Sequence, residues 1–128
     1  MIKVSRTDAG EATAQAAIVV PIVLLILWLA VQATIFLHGA NVATAAANEG
    51  AAAAARYGSS SSVGERAIER TLTNLDSNAE GTWSVRRSGG EMIAKVTLRL
   101  PRLVPFFSST VSRSAYERVE TFMKEADR

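Results

Sequence analysis

Hydrophobic and polar positions divide the chain into stretches of different period. From Ala16 to Leu37 nearly every side chain is apolar, Gln32 and Thr34 excepted, and no Asp, Glu, Lys or Arg falls between Glu11 and Glu49. A helix of about 22 residues rises about 33 Å, enough to cross a hydrocarbon layer of about 30 Å. The run is apolar on all sides rather than along one stripe, which predicts a transmembrane helix, with Pro21 kinking it or marking its entry. Two rivals remain. A buried core helix would need more protein around it than this chain provides. A cleavable signal fits the basic lead and the small residues of Val31 to Ala33, but the run exceeds the usual apolar centre of about 7–15 residues.

The helical pattern continues through "HGANVATAAANEGAAAAARY", residues 38–57. Alanine is the best helix former, and Ala43, Ala47, Ala51 and Ala55 recur every four residues. They form a small-residue stripe suited to close helix packing, or simply a stable helix with little side-chain demand. Gly39 and Gly50 read as weak points in it. "GSSSSVG", residues 58–64, reads as a helix stop and flexible linker. Ser62 with Glu65 predicts a capping box for a helix from about Val63 to Leu75. Its apolar face is Ala67, Ile68, Leu72 and Leu75.

The period then changes to two. "TWSVRR" sets Trp83 and Val85 against Ser84 and Arg86. "SGGE" is a hairpin turn signal, and "MIAKVTLRL" alternates Ala94, Val96, Leu98 and Leu100 against Lys95, Thr97 and Arg99. Pro101 and Pro105 bracket an apolar connection in which Phe106 and Phe107 face either the core or a membrane surface, with the core expected. The residues of the closing stretch leave it open between two forms, one of them a strand from about Thr110 to Val119. Its alternative is a helix with Ala115, Val119, Phe122 and Ala126 on one face. The sum is an α+β membrane-anchored fold with a long N-terminal helix, a short amphipathic helix and a small antiparallel sheet of two or three strands. The expected divisions are a leader at 1–10, a long helix at 11–57 with its transmembrane part at 16–37, a linker at 58–64, a small domain at 65–122 and a polar tail at 123–128.

Composition and charge narrow the function. Net charge is +2, from 14 basic and 12 acidic residues. That balance gives no basic patch for nucleic acid. Lys3 and Arg6 precede the apolar run and predict a cytoplasmic N-terminus with the rest extracytoplasmic. There is no cysteine, which removes disulfides and thiolate chemistry. The single histidine, His38, stands at the outer end of the apolar run and reads as interfacial. No Walker, dinucleotide, zinc-protease or nucleophile-elbow motif occurs, so no enzyme activity, metal, cofactor or small-molecule substrate is expected. A generic anchored binding module is the alternative to an assembly part, with Trp83, Arg86 and Arg87 as its candidate surface. A secreted domain released by signal cleavage is a third reading.

The layout, with "GEATAQAAIVVPIVLLILWLAVQA", "ANEGAAAAARYG" and the ending "LVPFFSSTVSRSAYERVETF", resembles the TadE-like family of pilus-assembly proteins. The close Val119-Glu120-Thr121-Phe122 is similar to the family's finish, and the alanine richness to its actinobacterial members. The resemblance implies a pseudopilin-like part of a Flp/Tad-type pilus or secretion system. Such a part would contact other assembly proteins, or itself, through the N-terminal helix. It also implies cleavage by a prepilin peptidase after Gly10, leaving Glu11 first. A pilin-like pattern then expects glutamate where Gln15 stands. Glutamine offers a hydrogen bond there but no countercharge for a neighbour's amine. The packing residues implied are Gln15, Ala43, Ala47 and Ala51.

Overall fold

A computed structural model describes residues 6–76 and 78–121. The residues expected as the polar tail, the closing Phe122 and the basic Lys3 of the leader lie outside the described residues. Helix α1 runs unbroken over Arg6–Ala55, through Pro21. Helix α2 spans Ser61–Leu75. Strands β1 (Glu80–Ser88), β2 (Glu91–Arg99) and β3 (Thr110–Arg118) form one antiparallel sheet in the order β1-β2-β3. The closing stretch, which its residues leave open between strand and helix, is therefore a strand.

The β1–β2 hairpin follows from Gly89 and Gly90, whose φ values of 56° and 84° suit a two-residue turn of the type that matches strand twist. Register then pairs Trp83 with Val96 and Val85 with Ala94, and Leu98 with Val111 and Ala94 with Ala115 across β3. This places Val85, Met92, Ala94, Val96, Leu98, Val111 and Ala115 in the core on one face of the sheet. The other face is polar, with Thr97 and Ser112 hydroxyls 3.0 Å apart.

Both helices lie on the apolar face. Residues of α1 from Ala40 to Ala55 join Ile68 and Leu72 of α2 in the same core. The α1–α2 crossing is set by glycine. A β-carbon on Gly64 would come within 2.6 Å of the Gly50 carbonyl and 2.8 Å of the Ala54 β-carbon. One on Gly50 would strike Ile68. Gly50 is thus a contact point rather than a weak point. Gly64 belongs to the packed face of α2, with Ile68 and Leu72.

That packing corrects two expectations at the start of α2. The helix begins at Ser61, so residues 61–64 are helical rather than linker. Its N-cap is Ser60, not Ser62, with no side-chain cap bond; the Ser60 and Ser62 hydroxyls meet each other at 2.9 Å. Leu75, expected on the apolar face, keeps that angular position but is the last residue of α2 and is exposed.

The far end of α1 is closed by the last described residues. The Glu120 amide donates to the Ala55 carbonyl at 2.8 Å, and the Ser59 hydroxyl donates to the Ala53 carbonyl at 2.7 Å. These satisfy carbonyls that a helix C-terminus leaves unpaired. Because β3 ends at this point, it runs in the same direction as α1. The β2–β3 connection therefore points the other way, toward the N-terminal half of α1.

Candidate functional site: the apolar stem and the loop at its root

Below the folded head, α1 continues as a free stem. Every large apolar side chain from Ile18 to Trp28 is between 47% and 66% exposed. A core helix buries at least one stripe; this stretch buries none. A contiguous exposed apolar surface of this kind marks a membrane or protein contact. The helix is long and apolar enough to cross a membrane, with a mean hydropathy of 2.6 and 6% burial in its most apolar window. The stem thus fits a single-pass membrane anchor, and the core-helix reading is excluded by exposure.

The stem meets the head at Gln32, the one fully buried polar side chain among the described residues, at 0% exposed. Its Oε1 accepts the Leu103 amide at 2.8 Å and the Val104 amide at 3.3 Å. Its Nε2 donates to the Pro101 carbonyl at 3.4 Å. A polar group in this place is tolerated because all of its atoms find partners; among the described residues no buried side-chain nitrogen or oxygen lacks one. Seven residues further along α1, Gly39 makes room for the Leu100 side chain, which a β-carbon there would strike. Leaving β2, the chain therefore touches α1 first at Gly39 and then at Gln32. That is a descent of about 10 Å along the helix toward the stem, at about 1.5 Å per residue.

The loop so held spans about ten residues, longer than the roughly 2–5 usual in hairpins. The Leu100 amide donates to the Ser109 carbonyl at 2.7 Å and closes its neck, and the Phe107 amide donates to the Val104 carbonyl at 3.2 Å within its tip. Val104 is buried, but Leu103 is half exposed and Phe106 is 95% exposed. The expectation that Phe106 sits in the core is wrong. Gln32 takes the side of α1 that the loop covers, and the Val104–Phe107 turn throws the Phe106 ring outward.

The site residues expected from sequence separate into two groups. Gly10, Glu11 and Gln15 lie exposed on the first part of α1, with open space around Gly10. Ala43, Ala47 and Ala51 are 0%, 1% and 0% exposed, and what they pack against is the chain's own α2 and sheet. The stripe does pack closely, as its spacing suggests, but within one chain, so it offers no surface to a partner helix. Trp83 is half-buried against the core while Arg86 pairs with Ile93 on the outer face; the two do not form one surface. His38 is exposed, beside a recess of about 450 Å³ that it lines with Asp76, Arg99 and Leu100. Among the described residues no three His, Asp or Glu side chains converge as a metal site. Sequence reasoning missed Gln32 as a functional position. The signal was present: a lone amide in an otherwise apolar run has to be paired by something.

Comparison with known proteins bears on the same helix. The family model described as TadE-like protein matches residues 10–52, from the exposed Gly10 through the stem and most of the packed half of α1. No curated protein and no solved structure matches the chain. The match covers about a third of the chain and supports a likeness to the TadE-like family along the long helix.

Proposed function

We propose that this protein is a single-pass, membrane-anchored pseudopilin-like component of a Tad/Flp-type pilus or secretion system, working by contact rather than catalysis. The TadE-like match over residues 10–52 points to involvement in Tad/Flp pilus assembly. The observation that carries the finer reading is the stem, apolar on every side and continuous with a helix fixed in the core of the head. An anchor and an assembly surface are then one element. With Ala43, Ala47 and Ala51 occupied inside the chain, lateral contacts to partner helices fall to the stem, with Gln15 as a polar contact near its start. Lys3 and Arg6 favour a cytoplasmic N-terminus and an extracytoplasmic head. Cleavage after Gly10 would leave the stem intact. Cleavage after Ala33 would remove Gln32 and with it the tie to the loop, which argues against a conventional signal sequence.

The test is photo-crosslinking in the native host from Val23 and Leu27 on the stem and from Glu91 on the head, together with deletion of the gene. Stem crosslinks to other pilus-assembly proteins, and loss of surface pili on deletion, are expected. Pili of normal number in the deletion strain, with no stem crosslinks, would overturn the reading. N-terminal sequencing of the membrane-extracted protein tests processing separately: an intact leader in cells with active prepilin peptidase removes Gly10 from the site. The generic binding-module reading is not better supported: Arg86 lies on the opposite face of the sheet from Trp83, and only Arg87 shares its face.

A further inference from the structure

The stem is short for its task. Between Ala16 and Val31 the free apolar helix rises only about 24 Å, against a hydrocarbon layer of about 30 Å. The expected span reaches Leu37, yet from Gln32 on the loop of residues 100–109 takes one side of the helix, leaving Ala33, Thr34 and Leu37 exposed on the others. Whatever supplies the missing layer includes that loop. Its tip carries Leu103, Phe106 and Phe107, exposed by 50%, 95% and 39%, in a soluble-looking head whose other apolar side chains are mostly buried. The loop is aimed by two contacts, Leu100 at Gly39 and the backbone of 101–104 at Gln32. Both run it down α1 toward the stem.

We infer that the β2–β3 loop is a second membrane contact, inserting Leu103, Phe106 and Phe107 into the outer edge of the lipid layer that α1 spans. This rests on the stem being a membrane anchor. The occupant of the exposed tip is lipid because the tip is continuous with the apolar stem and at the depth where the stem falls short. Aromatic rings suit the boundary between acyl chains and headgroups. Pro101 and Pro105 limit the backbone freedom lost on insertion. Exposed Arg102, at the same level, extends its charge back to the lipid phosphates while its methylene stem stays in the apolar layer. Two contacts fix what one helix cannot. A single span rotates freely about its own axis, whereas a span with an inserted loop holds the head at one height and one tilt over the membrane.

The chain has no cysteine, so single-cysteine labelling reads each position cleanly. Val23→Cys in the stem, Phe106→Cys at the loop tip and Arg87→Cys at the opposite end of the sheet are each labelled with an environment-sensitive fluorophore. The full chain is reconstituted in phosphatidylcholine vesicles and quenched by iodide in water or by nitroxides on the lipid. Burying one phenylalanine-sized side chain favours the inserted state by at least about tenfold. Iodide quenching at Phe106 is therefore expected to be about tenfold weaker than at Arg87, with strong quenching by a nitroxide near the headgroup. Val23 is expected to answer to a nitroxide deep in the acyl layer. Free iodide access at Phe106 beside lipid quenching at Val23 overturns the loop contact and leaves the anchor standing. Iodide access at Val23 overturns both. A Phe106 label shielded from iodide and from lipid nitroxide alike means that protein covers the tip, and also overturns the inference.

Discussion

Replacing Gln32 by leucine keeps most of the side-chain volume and removes every hydrogen bond that holds the loop to α1. In the wild type one oxygen serves two amides, at 2.8 Å to Leu103 and 3.3 Å to Val104. The bond from Nε2 to Pro101, at 3.4 Å, is near the limit and adds little. A net hydrogen bond contributes about 1 kcal/mol, and a buried amide left without an acceptor costs about 1–3 kcal/mol. Val104 is buried, so its amide bears that cost as long as the loop stays docked. The docked loop is then weakened by about 2–3 kcal/mol, or roughly 30- to 140-fold in its opening equilibrium, at about 1.4 kcal/mol per tenfold. Amide hydrogen exchange on the full chain in detergent micelles reads this residue by residue. Leu103 and Val104 are expected to exchange faster by that factor, while Ala94 and Val96 in the middle of β2 keep their rates. If exchange at Leu103 and Val104 changes by less than about threefold, below the contribution of a single net hydrogen bond, Gln32 does not hold the loop.

Three further substitutions test the helix packing and the stem. Gly64→Ala gains about 1 kcal/mol of helix propensity but drives a β-carbon against the Gly50 carbonyl, so thermal denaturation is expected to show net destabilisation of about 1–2 kcal/mol; a raised melting temperature would mean the two helices are not in close contact. Ala47→Leu overfills a core position and is expected to lower stability by about 1–3 kcal/mol. Measured by denaturant titration in micelles, unchanged stability would return Ala47 to the surface as a packing site for partners. Leu24→Lys places a charge near the middle of the stem, where insertion is opposed by about 2.5–3.5 kcal/mol. Carbonate washing of membranes should release a large fraction of this variant and little of the wild type, and equal retention of both would remove the stem from the bilayer.

The interplay of glycine and alanine shows how far local reasoning reaches. From the sequence, Gly50 looks like a flaw in an alanine helix, and Gly64 like the end of a linker. Each is explained only by the other, because the reason for both is the approach of two backbones that lie far apart in sequence until α2 folds back. The Ala43, Ala47 and Ala51 stripe was legible as a close-packing surface from its spacing. What it packs against was not, since a spacing of four describes one side of an interface and is silent about the other. Phe106 and Phe107 illustrate the reverse limit. Two adjacent aromatics look like core by composition, and their exposure depends on how a ten-residue loop is tethered at its ends. Glu120, read only as part of a closing motif, turns out to terminate α1 through its amide.

The sequence alone determined the elements that depend on local period: the apolar run of α1, the alternating strands of the hairpin and its Gly89–Gly90 turn. These follow from side-chain spacing and backbone preference, which act over a few residues. Even the TadE-like character lies in one continuous stretch of helix. Tertiary structure decided which part of α1 is stem and which part is core, that the alanine stripe faces inward, and that the loop descends to Gln32. Those outcomes depend on burial, and burial is a property of the partners a side chain meets rather than of the side chain itself. A glutamine in an apolar run is costly wherever it lies; only the fold supplies the two amides that make it a fastening.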